Sequence, residues 1–476
     1  MIRAISSADM LALERRFMDE TGTPALLLME HAAAAVAGAL TGTRRALFLC
    51  GPGNNGGDGL AAARMFRMNG GEAIVWQFGG NASEVVQHQS AMLRGVGAAI
   101  HKIADALPKL PDVDCIVDAM FGIGLSRPLD GMYAEAVERV NDSGAEVLAV
   151  DIASGIDGTT GRILGAAIRA GRTVTFHRPK TGQFLYPGRE YTGSLAVAPI
   201  GIPLEYGATV SDPVTLEDSD VEAFLPPRKP NSHKGNYGSV MILAGSVGMA
   251  GTAALCVKAA LRSGAGLVTA ACPPQTMPIV QTLAPEAIAR AVETADDIRA
   301  ALEGKTCAAV GPGLGRDALP LLEPLFDADI PQVWDADALN ALAESGRRAP
   351  ARSIITPHPG EAARLLGTST ASITADPIAA AHRLRERTGA VVLLKGATTV
   401  ITDGESVTLN ISGSPAMAKG GMGDTLTGII AALLAQGLSL YDAARVGAYM
   451  HGRAGSRAAA EHGERSALAS DLSDYL

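Results

Sequence analysis

The chain has 476 residues, with 40 Lys plus Arg, 49 Asp plus Glu and a formal net charge of -9. At roughly 150 residues per domain, that length predicts two or three domains rather than one small core. An apolar fraction of 47% with 19% charged residues excludes intrinsic disorder, and the acidic balance argues against a general nucleic-acid or anionic-membrane binder, since both need basic surface. The five cysteines, Cys50, Cys115, Cys256, Cys272 and Cys307, include no C-x-x-C pair. They fit neither a disulfide framework nor a zinc site and predict a reducing compartment. No signal-peptide pattern follows Met1, and the most apolar stretch, Ala25 to Leu40, carries Glu30 and His31. A cytosolic protein with no membrane partner is therefore expected.

In chain order, Ser6 to Asp9 has the spacing of a capping box ahead of Met10, Leu11 and Leu13. Thr23-Pro24 reads as an N-cap with Pro at the first helical position, opening a helix to Leu40. Ala46 to Cys50 predicts a strand, Leu60 to Met68 a helix and Ala73 to Phe78 a strand; Cys115 to Ala119 and Glu146 to Val150 predict two more buried strands. Glu217 to Lys234, with Pro226, Pro227 and Pro230, has the composition of a linker. The alternation then restarts, with strands at Val240 to Ala244, Leu267 to Ala271, Ala308 to Val310, Gln332 to Trp334, Ser353 to Ile355 and Val391 to Leu394. Helices are predicted at Thr252 to Leu261 and from near Asp424. Such alternation implies βαβ units and mostly parallel sheets. The tail from Gly455, with Arg457, Glu461, His462, Glu464 and Arg465, reads as a solvated helix or loop.

The first chemical cluster follows Cys50: Gly51, Pro52, Gly53, Asn54, Asn55, Gly56, Gly57, Asp58 and Gly59. Glycines free the backbone to adopt positive φ and let N–H groups approach a ligand, and a helix N-terminus attracts phosphate. The spacing matches neither the G-x-G-x-x-G nor the P-loop fingerprint, and the glycines alone equally suit a tight turn capped by Asp58. Two other strand ends carry acid and glycine: Val117-Asp118, running into Met120, Phe121, Gly122, Ile123, Gly124, Leu125, Ser126, Arg127 and Pro128; and Val150-Asp151, running into Ser154, Gly155, Asp157 and Gly158. Ligands of parallel α/β sheets sit beyond such strand ends. The three segments together resemble the NAD(P)H-hydrate epimerases over roughly residues 1 to 210. The resemblance implies a Rossmann-like three-layer sandwich (residues 1–215) that epimerises NADHX and NADPHX. It further implies that Asn55, Asp118 and Ser154 bind K⁺, that Asn54 to Asp58, Gly122 to Pro128 and Tyr133 hold the dinucleotide, and that Asp151 is the acid/base contacting the hydrated ring. A weakly held monovalent cation suits such carboxylate, amide and hydroxyl oxygens.

The second cluster lies in the other half. Three glycines precede Asp424 in Lys419, Gly420, Gly421, Met422, Gly423, Asp424. They form a nest of N–H groups able to hold a transferring phosphoryl, and Asp424 is placed to take a proton from a hydroxyl. Alone, the motif equally fits a helix start with Asp424 as N-cap. Lys395, Gly396, Ala397, Thr398 and Thr399 follow a strand and offer an ammonium and hydroxyls. His358 lies in Thr356-Pro357-His358-Pro359-Gly360-Glu361; a lone His is more often structural. The Gly-x-Gly-Asp helix start resembles ribokinase-type kinases. With HKGNYG, AGSVGMAGTA, GPGLG, TPHPGE and LKGATTV, the set is closer to ADP-dependent NAD(P)H-hydrate dehydratases. That resemblance covers residues 225–476, after a linker at 216–234, and implies a ribokinase-like α/β domain. Ala250, Gly313, His358 and Asp424 would line the hydrate site, and Lys395 to Thr399 with Gly423 the nucleotide site, with Mg²⁺ accompanying ADP. A homo-oligomer is left open. The rival readings are a ribokinase-type small-molecule kinase fused to a dinucleotide-sensing or scaffold domain and, with less support, a dehydrogenase.

Overall fold

A computed structural model describes residues 1–79, 83–104, 106–315 and 318–476. The chain divides into two units, one of Arg3–Asp212 and one of Met1–Ile2 with Pro213–Leu476. In the first, a seven-stranded parallel sheet runs in the order Ile100–Ile103, Glu72–Phe78, Arg45–Cys50, Cys115–Ala119, Glu146–Val150, Arg172–Phe176, Ser194–Ala198. Side chains alternate across the sheet, so Ala46, Phe48 and Cys50 pack into one core while Leu47 and Leu49 pack into another on the opposite face. Helices Ser7–Thr21, Ala25–Ala39 and Asn54–Met68 cover the first face and Gly131–Asn141 the second. That is the expected three-layer sandwich.

In the second unit ten strands share one sheet. Its parallel portion runs Ile288–Ala291, Leu267–Cys272, Ser239–Leu243, Cys307–Val310, Gln332–Trp334, Ser353–Ile355, Val391–Leu394. Thr399–Thr402 and Val407–Asn410 continue it antiparallel, and Val214–Thr215 pairs parallel to the latter. Helix Met422–Ala435 is buried along nearly its whole length. Gly428 lets it approach helix Ala250–Arg262, because a Cβ there would meet Cys256 O at 2.1 Å.

Several expectations need correction. The helix after the first glycine turn begins at Asn54, not Leu60, with Gly53 at its N-cap. Asp58 therefore sits inside the helix rather than capping it. None of the glycines from Gly51 to Gly59 has positive φ; all but Gly53 are needed for close contact, since a Cβ would lie 1.8 Å from Met120 O at Gly51 and 1.9 Å from Gly51 O at Gly56. Thr23 does not cap the second helix, whose N-cap is Pro24 without a side-chain bond, whereas Ser6 does accept from Asp9 N at 3.1 Å. The stretch read as a linker carries helix Asp218–Phe224, closed by Glu217 N donating to Asp220 Oδ2 at 2.9 Å. The tail keeps its charged residues exposed, yet it buries Ala458, Ala459, Ala467, Ala469 and Leu472 against Met422 and Ala416. Among the described residues no helix is long and apolar enough to cross a membrane.

Candidate active sites

In the first unit the chain leaves Arg45–Cys50 for Glu72–Phe78 on one side and returns to Cys115–Ala119 on the other. This reversal opens a crevice at the strand tips, closed at its base by Gly51 N donating to Ala119 O at 3.0 Å. Asp118 lies at that tip, fully buried. It accepts from Ser154 N at 2.7 Å, Ser154 Oγ at 2.6 Å and Met120 N at 3.2 Å. Burial pushes its carboxyl up to about 6 against the pull of those donors. Asn55 leans on the same segment: a Cβ at Gly122 would come within 3.1 Å of its amide, and its buried Nδ2 has no hydrogen-bond partner. The three residues expected to share a cation thus converge on residues 118–122. Tyr133 packs edge-on to Phe121, with ring centroids 4.7 Å apart, and Gly124, Ser126, Arg127 and Pro128 form an exposed loop.

Asp151 belongs to a separate network. Its backbone is left-handed, with φ 67°, and its Oδ1 accepts from Lys180 Nζ at 2.5 Å and Thr175 Oγ1 at 3.1 Å. Two further carboxyls surround this pair. Burial raises Glu14 to about 7, with Lys180 opposing the shift and Asp151 adding to it; burial, with Asp151 and Glu14, also raises Asp58 far above the usual carboxylate range.

The second unit repeats the reversal between Ser239–Leu243 and Cys307–Val310, where Gly245 N donates to Pro312 O at 2.8 Å. Gly313, with φ 65°, lies against the start of helix Ala250–Arg262, since a Cβ on it would stand 2.4 Å from Thr252 Oγ1. Ala250 and Gly313 therefore adjoin. Asp335 is buried at the next strand tip and accepts from Lys395 Nζ at 2.7 Å and Thr427 Oγ1 at 2.9 Å. A Cβ on Gly423 would sit 3.3 Å from Lys395 Nζ, so the ammonium rests over the glycine-led helix start. Burial works against the Lys395 charge, but Asp335 and Glu361 outweigh it and hold its pKa above the ordinary lysine value. Asp424, half-buried in the first turn of its helix, is raised to about 6 by burial, with Asp335 adding and Lys395 opposing. His358 is the N-cap of helix Pro359–Leu366: its Nδ1 accepts from Gly360 N at 3.0 Å and its Nε2 faces Glu361 Oε1 at 3.2 Å. Lys395 to Thr398 form the turn of the hairpin joining Val391–Leu394 to Thr399–Thr402.

The chain was also compared with known proteins. A family model described as NAD(P)H-hydrate dehydratase matches residues 240–476, and one described as YjeF-related protein N-terminus matches residues 25–182. The Bifunctional NAD(P)H-hydrate repair enzyme Nnr of Coxiella burnetii is 41% identical over 90% of this chain and 88% of its own length. The chain belongs to the bifunctional NAD(P)H-hydrate repair enzymes. The enzyme of that name from Moorella thermoacetica is 40% identical over 99% of this chain and 95% of its own. A ribokinase-like superfamily protein of Enterococcus faecalis superposes with a TM-score of 0.50 at 26% identity, covering 55% of this chain and 93% of that one.

For a repair enzyme of this family, the expected residues fall around the two switch points, but five side chains beside them were not read from the sequence: Glu14, Lys180, Asp335, Asp337 and Glu361. Asp335 repeats the signal that marked Asp118 and Asp151, an acid closing a buried strand, and that rule would have found it. Lys180 was hidden because strand Arg172–Phe176, with Arg172, Thr173 and Thr175, lacks an apolar run. The contacts of the first glycine turn can be tested directly. Gly56→Ala forces a Cβ into Gly51 O and should cost about 1–3 kcal/mol or more. Calorimetry should show the melting transition of Arg3–Asp212 lowered and that of the second unit unmoved.

Proposed function

We propose that the first unit interconverts the R and S forms of NADHX and NADPHX, and that the second dehydrates the S form to NAD(P)H at the expense of ADP, releasing AMP and phosphate. The observation that carries the reading is that each unit sets a carboxylate, Asp151 in one and Asp424 in the other, beside glycine turns at its strand tips. Hydroxide is a poor leaving group and phosphate a good one. Asp424 takes the proton of the ring hydroxyl, whose oxygen accepts the terminal phosphoryl of ADP. The ring nitrogen's lone pair then expels phosphate to leave an iminium, and loss of the proton from the adjacent ring carbon restores the reduced ring. Lys395 and the N–H groups at the Gly421–Gly423 helix start offset the charge gathering on the phosphoryl oxygens. One such N–H donor is worth roughly 100- to 1,000-fold in rate.

Asn55, Asp118 and Ser154 fit a potassium ion: Asp118 is buried without an ion-pair partner among the described residues, and the set offers only oxygen donors of carboxylate, amide and hydroxyl type. The ion would supply the missing countercharge. In the second unit no group of three or more His, Cys, Asp or Glu is arranged as a metal cage among the described residues. Asp424 and Asp337 suit Mg²⁺ carried in on nucleotide phosphates, which needs only one or two carboxylates.

Two experiments test these assignments. Given mixed epimers and ADP, Asp424→Ala should return no reduced nicotinamide, while Asp151→Asn should stop near the fraction present as the S form. Wild-type turnover by Asp424→Ala would remove the base assignment, and full conversion by Asp151→Asn would make the first unit a scaffold. The second experiment concerns potassium. The folded Asp118 carboxyl, at about 6 against an ordinary 3.8, makes its ionised form costly: the cost is absent below about pH 4 and full above about pH 6. Potassium in place of choline should therefore raise the melting temperature of the first unit at about pH 8, and much less at about pH 5. An equal response at both values, or an unchanged one in Asp118→Asn, would contradict the site.

A further inference from the structure

Lys180 is 1% exposed, and its ammonium directs its donors to Asp151 Oδ1 at 2.5 Å, Thr175 Oγ1 at 3.0 Å and Phe176 O at 3.2 Å. Stability alone does not explain such a pair, because the desolvation of two charges largely cancels their attraction and apolar replacements of like volume are often as stable. The surrounding backbone is built around it. Gln183 holds both partners at once: its Oε1 accepts from Lys180 N at 2.7 Å and its Nε2 donates to Asp151 O at 2.8 Å. Asp151 N donates to Val174 O at 2.7 Å, fixing a left-handed conformation that a non-glycine residue adopts only when its surroundings impose it. Glu14, from helix Ser7–Thr21, and Asp58, from helix Asn54–Met68, share the field of the pair. Neither has a hydrogen-bond or ion-pair partner among the described residues. His177 and Arg178 are the other titratable or charged groups beside Lys180.

We propose that Lys180 is the positioning residue of the epimerase site, holding Oδ1 of Asp151 and aiming its free oxygen at the substrate hydroxyl. This rests on the reading of Asp151 as the acid/base. The ammonium occupies Oδ1, so Oδ2 is the oxygen left to act. Asp58, whose protonated form burial and the neighbouring Asp151 and Glu14 favour, is the proton donor of the pair. In the forward half-reaction the carbinol hydroxyl gives its proton to Asp151. The oxygen's electron pair forms a C=O bond, the C–N bond breaks, and its pair returns to the ring nitrogen, which takes the proton of Asp58. Closure on the opposite face reverses each transfer and restores both carboxyls. Two carboxyls with opposite protonation, side by side, are what such a proton exchange needs.

The experiment is the pH profile of epimerisation by the full chain, with the dehydratase activity of the same sample confirming intact second units and circular dichroism confirming the fold of the first. In Lys180→Met, Asp151 loses its countercharge and takes up a proton. Epimerisation near pH 7 should fall about 100-fold or more, in kcat rather than KM, and recover as pH rises. Lys180→Arg, which keeps the charge, should hold the wild-type position of the profile at a lower rate. Thr175→Val, which removes one neighbour of both partners, should shift the profile in the Lys180→Met direction by less, and supplies the same test if Lys180→Met does not fold. A wild-type profile in Lys180→Met or, where that variant does not fold, in Thr175→Val, or coincident profiles for the Met and Arg variants, would overturn the proposal. Normal turnover by Asp151→Asn would instead remove the acid/base reading on which it rests.

Discussion

A carboxylate withdrawn from water must find compensation or take up a proton, and that constraint organises both halves of this chain. At three strand tips a buried acid is answered in a different way. Asp118 receives two bonds from Ser154, Asp151 an ammonium from Lys180, and Asp335 an ammonium from Lys395 together with the Thr427 hydroxyl. Acids beside them that lack such a partner, Asp58 and Asp424, have their protonated forms favoured by burial and by the neighbouring charges. A partner thus fixes a carboxyl in place, while burial without one shifts a carboxyl's pKa upward.

The parallel sheet is what makes the arrangement repeatable. Each reversal of strand order leaves a crevice at the carboxyl ends of two neighbouring strands. Backbone crossing that crevice must come very close, as Gly51 does to Met120. In the first unit glycine is required there by contact, while Gly245, Gly311 and Gly313 in the second also have positive φ. The two units use the crevice differently: one gathers its acids around a buried lysine, while the other sets an ammonium over a helix start, an arrangement whose charge and dipole together favour an anion. Chemistry that inverts a carbon and chemistry that transfers phosphate from a nucleotide both fit this common frame.

Much of this was legible in the sequence because buried parallel strands read as short apolar runs. Cys115–Ala119, Glu146–Val150, Gln332–Trp334, Ser353–Ile355 and Val391–Leu394 all lie where those runs place them. Among the strands that escaped notice, Arg172–Phe176 and Ser194–Ala198 carry polar or exposed residues toward one edge of their sheet. Lys180 went with them, since its meaning depends on where the preceding strand ends. The linker composition at 216–234 hid a helix held by a two-sided cap, a feature of seven residues with a single buried apolar side chain, Val221. The tail misled for the opposite reason: its charges are conspicuous, while the alanines between them, which form the buried face, carry little hydropathic weight.

The most direct measurement of the central claim, that withdrawal from water sets the roles of the carboxyls, is the pH dependence of kcat/KM for dehydration of the S hydrate at saturating nucleotide. If Asp424 is the base, its protonated form is inactive. Activity should then fall about tenfold per unit below an inflection at about 6. A rate unchanged down to about pH 5 would show that burial does not govern the reacting carboxyl.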